Sequence, residues 1–169
     1  SVAGQIIPQD GIMSYIYKKV KKAGGICIAD EVQTGLGRLG DFYFGFEQQK
    51  VDPDIVVLGK PIGNGHPIGV VITTEEIAKS FDNGIEFFST FGGSDLSCLI
   101  ANEVLKIVDD ENLKSNAKKM GDILINELNK LKFKFPIIGD VRGLGLFLGV
   151  EIVNNIKTKE PDTEKADYI

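Results

Sequence analysis

Apolar residues recur at intervals of three or four positions in several stretches of the chain, the spacing that buries one face of a helix. Hydroxyl side chains favour the position just before a helix N-terminus, and glycine favours the position just past a C-terminus. Gly24 therefore ends the first predicted helix, whereas Thr74 and Ser94 open the second and the third. The predicted helices are residues 11–23, Glu75–Phe81, a helix of about 95–109 and a longer helix after Asn112.

Short apolar runs between these helices predict β-strands. Every residue of Ile26–Ala29 is apolar, which is typical of a strand buried on both faces of a parallel sheet. Asp54–Leu58 shows the same pattern, because the four residues after Asp54 are all apolar. Pro67–Ile72 and Leu146–Ile152 are two further predicted strands. We therefore expect an α/β unit up to about residue 110, followed by the start of an α+β unit.

The composition indicates a globular protein and argues against two classes of partner. Hydrophobic residues make up 43% of the 169 residues, enough for a real core. The net charge is −5 and there is no dense cluster of Lys and Arg, so a nucleic-acid partner is not expected. No apolar run approaches the roughly 18 residues of a membrane-spanning helix, so no membrane partner is expected either.

The two cysteines, Cys27 and Cys98, lie in apolar patterns and are predicted to be small core residues. Such free cysteines are typical of a reducing compartment, so a cytoplasmic location is expected. The chain begins inside an apolar stretch and ends in the polar segment Lys157–Ile169. We therefore expect it to be a piece of a longer protein.

Three glycine patterns are candidates for binding a phosphate group. Gly35–Gly40 matches G-x-G-x-x-G, but five residues separate it from the predicted strand, so a dinucleotide turn is disfavoured. Gly59–Lys60 lacks the earlier glycine and the following Ser or Thr of a phosphate loop. Gly92–Gly93 lies directly after Ser89–Thr90 and Phe91 and just before a predicted helix, where free N–H groups suit an anion.

Asp30 and Lys60 each follow a predicted parallel strand. Ligands bind outside the carboxyl ends of such strands, so a carboxylate and an amine are expected to face one crevice. Lys60 lies between Gly59 and Pro61, on a stiff loop with extended geometry expected before the proline. An amine, a carboxylate and an anion site together match the needs of pyridoxal phosphate. A strand-end cap for Asp30 and a solvated amine for Lys60 are the alternatives for each residue alone.

Two long motifs resemble the signature of class III pyridoxal-phosphate aminotransferases. The first is Ile28–Arg38, IADEVQTGLGR, and the second runs from Pro53 to the GKPIGNG sequence that ends at Gly65. Ser89–Gly93 and Val141–Gly145 are similar to later segments of the same family. The resemblance extends to about residue 153.

This resemblance implies an α/β protein, a fold-type I transferase with a mostly parallel sheet in an α/β/α large domain. Residues 1–109 would be part of the cofactor-binding large domain, including an interdomain helix. Residues 110–169 would be part of a small C-terminal α+β domain. The family's glycine-rich phosphate loop and C-terminal substrate arginine are not found in the chain, so a catalytically incomplete fragment is one alternative.

The resemblance also implies roles for five residues with pyridoxal 5'-phosphate as cofactor. Lys60 would form the Schiff base and shuttle a proton between the substrate carbon and C4′ of the cofactor. Asp30 would bind the pyridinium nitrogen, Val32 would pack on one ring face and Gln33 would reach the 3-oxygen. Thr90 would contact the phosphate from the neighbouring subunit, so a homodimer with shared sites is implied.

Three further polar residues are predicted to be structural. Glu31 is expected to form hydrogen bonds beside the site. Arg142 is not expected to anchor a substrate, because the family's substrate arginine lies further toward the C-terminus. His66 has no second histidine and no nearby cysteine cluster, so no metal site is expected.

Two reactions fit the resemblance. The first moves an amino group from an amine or amino acid to an oxo acid. The second eliminates phosphate and ammonia from a phosphorylated amino alcohol, because the segment from Gly59 to Ala78 is similar to a particular branch of the family. That branch holds alanine–glyoxylate aminotransferase 2-like proteins and ethanolamine-phosphate phospho-lyases. The residues of the chain do not discriminate between the two reactions.

Overall fold

A computed structural model describes residues 4–169, which form two small sheets and a set of helices. The strands are β1 Ile28–Asp30, β2 Ile55–Leu58, β3 Val70–Thr73, β4 Ile138–Leu144, β5 Phe147–Asn155 and β6 Glu160–Pro161. The α-helices are α1 Ile12–Lys22, α2 Gly45–Gln48, α3 Glu75–Phe81, α4 Asp95–Asp110, α5 Leu113–Lys134 and α6 Thr163–Tyr168, and a 3₁₀ turn covers Lys60–Ile62.

The first sheet is mixed, so the prediction of a mostly parallel sheet is wrong for this chain. Its order is β1-β2-β3, with β1 parallel to β2 and β2 antiparallel to β3. Parallel neighbours need a crossover of a dozen or more residues, usually with a helix. Residues 31–54 supply one between β1 and β2, whereas residues 59–69 contain only a single 3₁₀ turn before β3. The chain therefore turns back and pairs β3 antiparallel to β2.

The second sheet is antiparallel and was only partly predicted. Its order is β4-β5-β6, and β4 turns directly into β5 through residues 145–146. The sequence predicted β5 but not β4, because glycine and charged residues interrupt the apolar pattern of β4. The polar end of the chain forms α6, which was not predicted, and Asp162 caps its first turn by accepting the Lys165 N–H at 3.0 Å.

The helices agree well with the periodicity. Helix α3 covers the predicted residues, and the hydroxyl of Thr74 accepts the Ile77 N–H at its N-terminus. Helix α4 begins directly after Ser94, although the Ser94 side chain makes no capping bond. The division predicted between residues 109 and 110 falls at the end of α4 and stays a prediction. Within residues 4–169, no helix combines the length and apolar character needed to cross a membrane.

The cysteines differ in their surroundings. Cys27 is buried, as predicted, just before β1. Cys98 is exposed, so its assignment to the core is wrong. The apolar stripe that contains it on α4 also includes Leu96 and Leu99, which are 62% and 67% exposed. Helical periodicity identified the apolar stripe of α4, but it does not say which part of the stripe this chain covers.

The glycine-rich loop after β1 packs tightly against the second half of the chain. The Leu146 N–H donates to the Arg38 carbonyl at 2.9 Å, which ties the loop to the β4–β5 turn. Gly40 has a φ of +81°, and a Cβ there would lie 2.7 Å from the Cα of Lys118 on α5. A side chain at this position would therefore collide with helix backbone. The contact fixes the loop that carries Arg38 relative to the ends of β1 and β2.

Candidate active site

Lys60 follows the end of β2 and begins the 3₁₀ turn. The turn is closed by the Ile62 N–H donating to the Gly59 carbonyl at 3.2 Å and the Gly63 N–H donating to the Lys60 carbonyl at 3.2 Å. Lys60 has a φ of +40°, in the left-handed region that side chains rarely adopt. The extended geometry expected before Pro61 is therefore wrong. The proline disfavours the right-handed helical region at Lys60, and the turn is closed with a strained left-handed residue instead.

The ends of β1 and β2 are in contact, as their parallel pairing requires. Asp30 is paired with Val57, so both strands lead out of the sheet at the same edge. A Cβ on Gly59 would lie 3.4 Å from the Val32 side chain, which places Val32 directly beside the backbone that precedes Lys60. The predicted meeting of these two loops at one sheet edge is present in the fold.

Lys60, Val32 and Gln33 line the same cleft, which has a volume of about 770 Å³. Volumes of this size are typical of small-molecule sites. Phe147 of β5 forms part of the opposite wall, so the cleft lies between the first sheet and the second. Three of the five residues predicted to contact the cofactor are thus brought together.

Asp30 lies at the same sheet edge but is oriented differently. Its Oδ1 accepts the Val32 N–H at 3.1 Å, which fixes the carboxylate against the loop it precedes. Asp30 lines a neighbouring cavity of about 240 Å³, and Phe147 is a wall of both cavities. The two residues follow adjacent strands at one sheet edge, but the expectation that the carboxylate and the amine face one crevice is wrong for this chain.

Thr90 is not brought to either cavity. It lies in the exposed segment between α3 and α4, where the Gly92 N–H donates to the Ser89 hydroxyl at 2.9 Å. One of the N–H groups predicted to bind an anion is therefore engaged within its own loop. The role of Thr90 stays a prediction about a second subunit.

Glu31 is a buried carboxylate that joins two loops. It is 3% exposed and accepts hydrogen bonds from the Thr34 hydroxyl at 2.6 Å, the Gly45 N–H at 2.8 Å and the Phe46 N–H at 2.9 Å. These bonds attach the start of α2 to the end of β1. The structural role predicted for Glu31 is confirmed, and the bonds hold the backbone on which Asp30 and Val32 lie.

We expect Glu31→Gln to destabilise the protein by about 1–3 kcal/mol, because a neutral amide replaces a carboxylate with three donors and brings two new donors toward them. The measurement is the free energy of unfolding from a urea titration. Glu164→Gln, on the exposed surface of α6, is the matched control and should change it little. An unchanged free energy of unfolding in Glu31→Gln would contradict the assigned role.

Arg142 is fully engaged within the fold. Its guanidinium donates to Asp140 at 2.9 Å, to Glu151 at 2.9 Å and to the Gly4 carbonyl at 2.8 Å. The hydrogen bond with Asp140 raises the pKa of Arg142 above its ordinary value, and Glu151 adds to the rise. The structural role predicted for Arg142 is confirmed, since no donor pair faces the Lys60 cleft.

His66 has a partner that the sequence did not reveal. Its Nε2 lies 2.8 Å from the Ser97 hydroxyl, which links the loop after Lys60 to the first turn of α4. The two residues are 31 positions apart, so no local pattern indicated the contact. Among residues 4–169, no group of three His, Cys, Asp or Glu side chains is placed to hold a metal ion.

Arg38 is the lining residue that sequence reasoning missed. It lies in the Gly35–Gly40 segment, considered only as a weak dinucleotide pattern, and it lines the Lys60 cleft with Gln33 and His66. No pattern along the chain indicated this position, because it becomes apparent only when the loop is seen to face the Lys60 cleft.

Comparison with known proteins identifies the family of this chain. The profile of the family described as "Aminotransferase class-III" matches residues 1–167. The chain belongs to the class III aminotransferases. The chain is 49% identical over 170 residues to an alanine–glyoxylate aminotransferase 2-like protein of Drosophila melanogaster, covering 100% of the chain and 34% of the relative. It thus spans about a third of the length of that class III relative.

Two solved structures have the same fold as this chain. The phospholyase from Arthrobacter in complex with phosphoethanolamine has a TM-score of 0.88 and 36% identity, covering 94% of this chain and 38% of that one. Taurine:2-oxoglutarate aminotransferase from Bifidobacterium kashiwanohense, in complex with pyridoxal phosphate and glutamate, has a TM-score of 0.86 and 29% identity, covering 94% and 36%. The chain therefore has the fold-type I architecture, built here on one mixed and one antiparallel sheet rather than on a mostly parallel one.

The residues present fit the cofactor of class III aminotransferases, pyridoxal phosphate. The cleft offers a primary amine on a strained turn, an apolar side chain beside it in Val32 and an amide in Gln33. No carboxylate is among the residues that line it, so nothing there repels a phosphate-bearing aldehyde. Asp30 lies at the same sheet edge but lines the neighbouring cavity, so its pairing with the ring nitrogen stays a prediction.

Proposed function

We propose that the complete protein is a pyridoxal-phosphate-dependent aminotransferase that moves an amino group from an amine or amino acid to an oxo acid. The observation that carries the proposal is Lys60, held on a strained turn in a cleft with Val32 and Gln33, in a chain of the class III family. A cytoplasmic location stays a prediction from the cysteines.

The bound cofactor supplies an aldehyde and an electron-accepting ring. Lys60 would hold the cofactor at its aldehyde through Nζ and would serve as the base that moves a proton between the substrate carbon and C4′. Asp30 would keep the ring nitrogen protonated. Val32 would pack on one ring face and Gln33 would reach the 3-oxygen, and both side chains line the Lys60 cleft.

The test is to assay the complete protein with alanine, ornithine and ethanolamine phosphate, with glyoxylate and 2-oxoglutarate as acceptors. Appearance of a new amino acid together with a visible absorption band of the bound cofactor supports the proposal. Release of inorganic phosphate from ethanolamine phosphate, without a requirement for an acceptor, supports the second candidate instead. That candidate is favoured by the likeness to the Arthrobacter phospholyase, whose TM-score of 0.88 equals that of an aminotransferase from Bacillus anthracis.

We also propose a homodimer in which Thr90 contributes to the partner's cofactor site. Large apolar side chains flank Thr90 and are exposed, among them Phe88 at 82% and Phe91 at 87%. Exposed apolar patches of this kind mark protein–protein contacts. A second subunit would cover them and bring Thr90 to a site that its own chain does not reach.

Thr90→Val is expected to weaken cofactor binding about tenfold or more, because one hydrogen bond to a charged phosphate is worth about 1.5–3 kcal/mol. The measurement is a titration with pyridoxal phosphate followed by absorbance. Thr158→Val, exposed after β5, is the matched control. Unchanged cofactor affinity in Thr90→Val would reject the role.

Mixed dimers decide whether Thr90 acts in its own site or its partner's. One subunit carries Lys60→Ala and the other carries Thr90→Val. If the site is shared, one site carries both changes and the other carries neither, so about half of the wild-type activity persists at limiting cofactor. If Thr90 serves its own subunit, no site has wild-type affinity and activity is lost under the same conditions.

A further inference from the structure

The loop from Lys60 to His66 holds two residues with side chains in an unfavourable backbone conformation. Lys60 has a φ of +40° and Asn64 a φ of +45°, and Gly65, next to His66, is left-handed as well, with a φ of +102°. Left-handed conformations are unfavourable for residues with a side chain, and they persist only where the surrounding structure holds them. The conformation that displays Lys60 therefore needs contacts from outside the loop.

The hydrogen bonds within the loop are long. The N–H groups of residues 62, 63 and 64 donate to the carbonyls three positions earlier at 3.1–3.2 Å, the long end of the usual range. Bonds between residues three positions apart form a 3₁₀ turn, whose hydrogen-bond geometry is poorer than that of an α-helix. Such bonds close the turn, but a strained turn also requires support from a neighbouring element.

Helix α4 supplies that support through two contacts. The side chain of Ala101 packs with Ile62 in one buried apolar cluster. Four residues earlier on the helix, the hydroxyl of Ser97 lies 2.8 Å from Nε2 of His66. Residues four positions apart lie on the same face of a helix, so one face of α4 holds both the middle and the end of the loop.

The contact at His66 is connected to Lys60 by a short series of backbone contacts. The His66 N–H donates to the Gly63 carbonyl at 2.9 Å, and a Cβ on Gly63 would collide with the His66 carbonyl oxygen. The Gly63 N–H in turn donates to the Lys60 carbonyl at 3.2 Å. His66 and Ser97 are both half-buried, and His66 lines the Lys60 cleft. A shift of His66 would therefore move the turn on which Lys60 lies.

We propose that His66 is a positioning residue for Lys60. Its hydrogen bond with Ser97 holds the loop in the conformation that displays the Lys60 amine in the cleft, and so sets the rate at which that amine moves a proton. This inference rests on the proposed function of the Lys60 cleft. In this role His66 acts through Lys60 and carries no proton itself.

Hydrogen exchange tests the hold on the loop without any cofactor. The complete, cofactor-free protein is placed in deuterated buffer, and deuterium uptake is measured by mass spectrometry on a peptide that covers residues 59–69. His66→Asn and Ser97→Ala are each expected to speed exchange in this peptide about twofold to tenfold, the effect of losing one hydrogen bond. The double variant should exchange no faster than either single variant, because both changes remove the same bond.

Two further variants serve as matched references. The amide of glutamine reaches about as far from the backbone as Nε2 of histidine, so His66→Gln should keep the bond that the shorter asparagine loses. Ser115 is the third residue of α5, as Ser97 is of α4, and it is exposed. Ser115→Ala should therefore leave exchange and turnover unchanged. Fast exchange in His66→Gln, or unchanged exchange in Ser97→Ala, would overturn the proposal.

The protein loaded with pyridoxal phosphate tests the consequence for Lys60. The first half-reaction is followed by absorbance with donor alone. His66→Asn is expected to lower the rate at saturating donor on the order of tenfold, because a small displacement of a reacting group is costly, while the apparent Kd for the donor stays within about twofold. His66→Gln should restore most of the rate. An unchanged rate in His66→Asn, or a loss in donor affinity alone, would reject the positioning role even if exchange is faster.

The two measurements separate this inference from the proposed function. If His66→Asn exchanges faster but the wild type gives neither an absorption band with pyridoxal phosphate nor turnover, the aminotransferase proposal fails alone and the hold on the loop stands. If the wild type turns over donors and neither exchange nor the rate responds to His66→Asn, the role of His66 is rejected and the proposed function stands.

Discussion

Lys60→Ala is expected to abolish amino transfer by the complete protein, with a loss of about 10⁴-fold or more. The change removes both the nucleophile that binds the aldehyde and the base that moves the proton, and each contributes a large factor. No other lysine lines the cleft in residues 4–169, so no neighbouring amine can replace it. The measurements are the turnover rate and the visible absorption band that depends on a bond between cofactor and lysine.

The strained backbone of Lys60 allows a second variant that removes the side chain without adding backbone strain. Because its φ of +40° is unfavourable for a side chain, Lys60→Gly relieves strain of about 1 kcal/mol while losing the same chemistry. We expect the free energy of unfolding to stay within about 1 kcal/mol of the wild type, since the entropy of glycine offsets the relief. Lys119→Ala, on the exposed surface of α5, is the control for loss of a lysine. Normal turnover in either Lys60 variant would refute the assignment.

The helices and the meeting of the two strand ends could be predicted because both depend on local patterns. Thr74 caps α3 as its hydroxyl predicted, and Asp30 and Lys60 follow neighbouring parallel strands as the apolar runs predicted. The direction of β3 could not be obtained in this way. It depends on the length and content of the connection after Lys60, which forms a 3₁₀ turn rather than a crossover helix.

The residues that line the Lys60 cleft differ in how far the sequence reveals them. Lys60, Val32 and Gln33 lie in two motifs whose resemblance to a family placed them together, and one cleft contains all three. Arg38 belongs to the same motif, but its relevance depends on a contact with Leu146, which is more than 100 residues away. Pairings at that separation are set by tertiary structure, so pattern reasoning along the chain does not find them.

Asp30→Asn is expected to lower turnover on the order of 10²-fold or more with little change in folding stability. The carboxylate would hold a proton at the ring nitrogen, and an amide cannot stabilise that charge. Oδ1 already accepts the Val32 N–H at 3.1 Å, and an amide oxygen can keep this bond, so the loop geometry survives. Among residues 4–169, Oδ2 accepts no hydrogen bond, so it is the oxygen that would bind the ring nitrogen.

Asp54→Asn is the matched control because Asp54 precedes β2 at the opposite edge of the same sheet. Its carboxylate accepts the Cys27 N–H at 2.8 Å and forms an ion pair with Lys21 at 3.1 Å. The hydrogen bond from Cys27 is the larger cause that lowers the pKa of Asp54, and the bond from Lys21 is the second. A lowered pKa stabilises the fold above the ordinary pKa of Asp, and this contribution is lost as the pH falls through the lowered value. Asp54→Asn should therefore reduce stability at neutral pH and leave the chemistry intact.

The two variants together separate chemistry from folding. Turnover and urea unfolding are measured for both at neutral pH, and stability is measured again at a pH below the ordinary pKa of Asp. Asp30→Asn should lose turnover at constant stability, whereas Asp54→Asn should lose stability at constant turnover, with its difference from the wild type shrinking in acid. If Asp30→Asn keeps near-wild-type turnover, the ring nitrogen has another partner. If it unfolds as easily as Asp54→Asn, its carboxylate serves the loop through Val32 and not the cofactor.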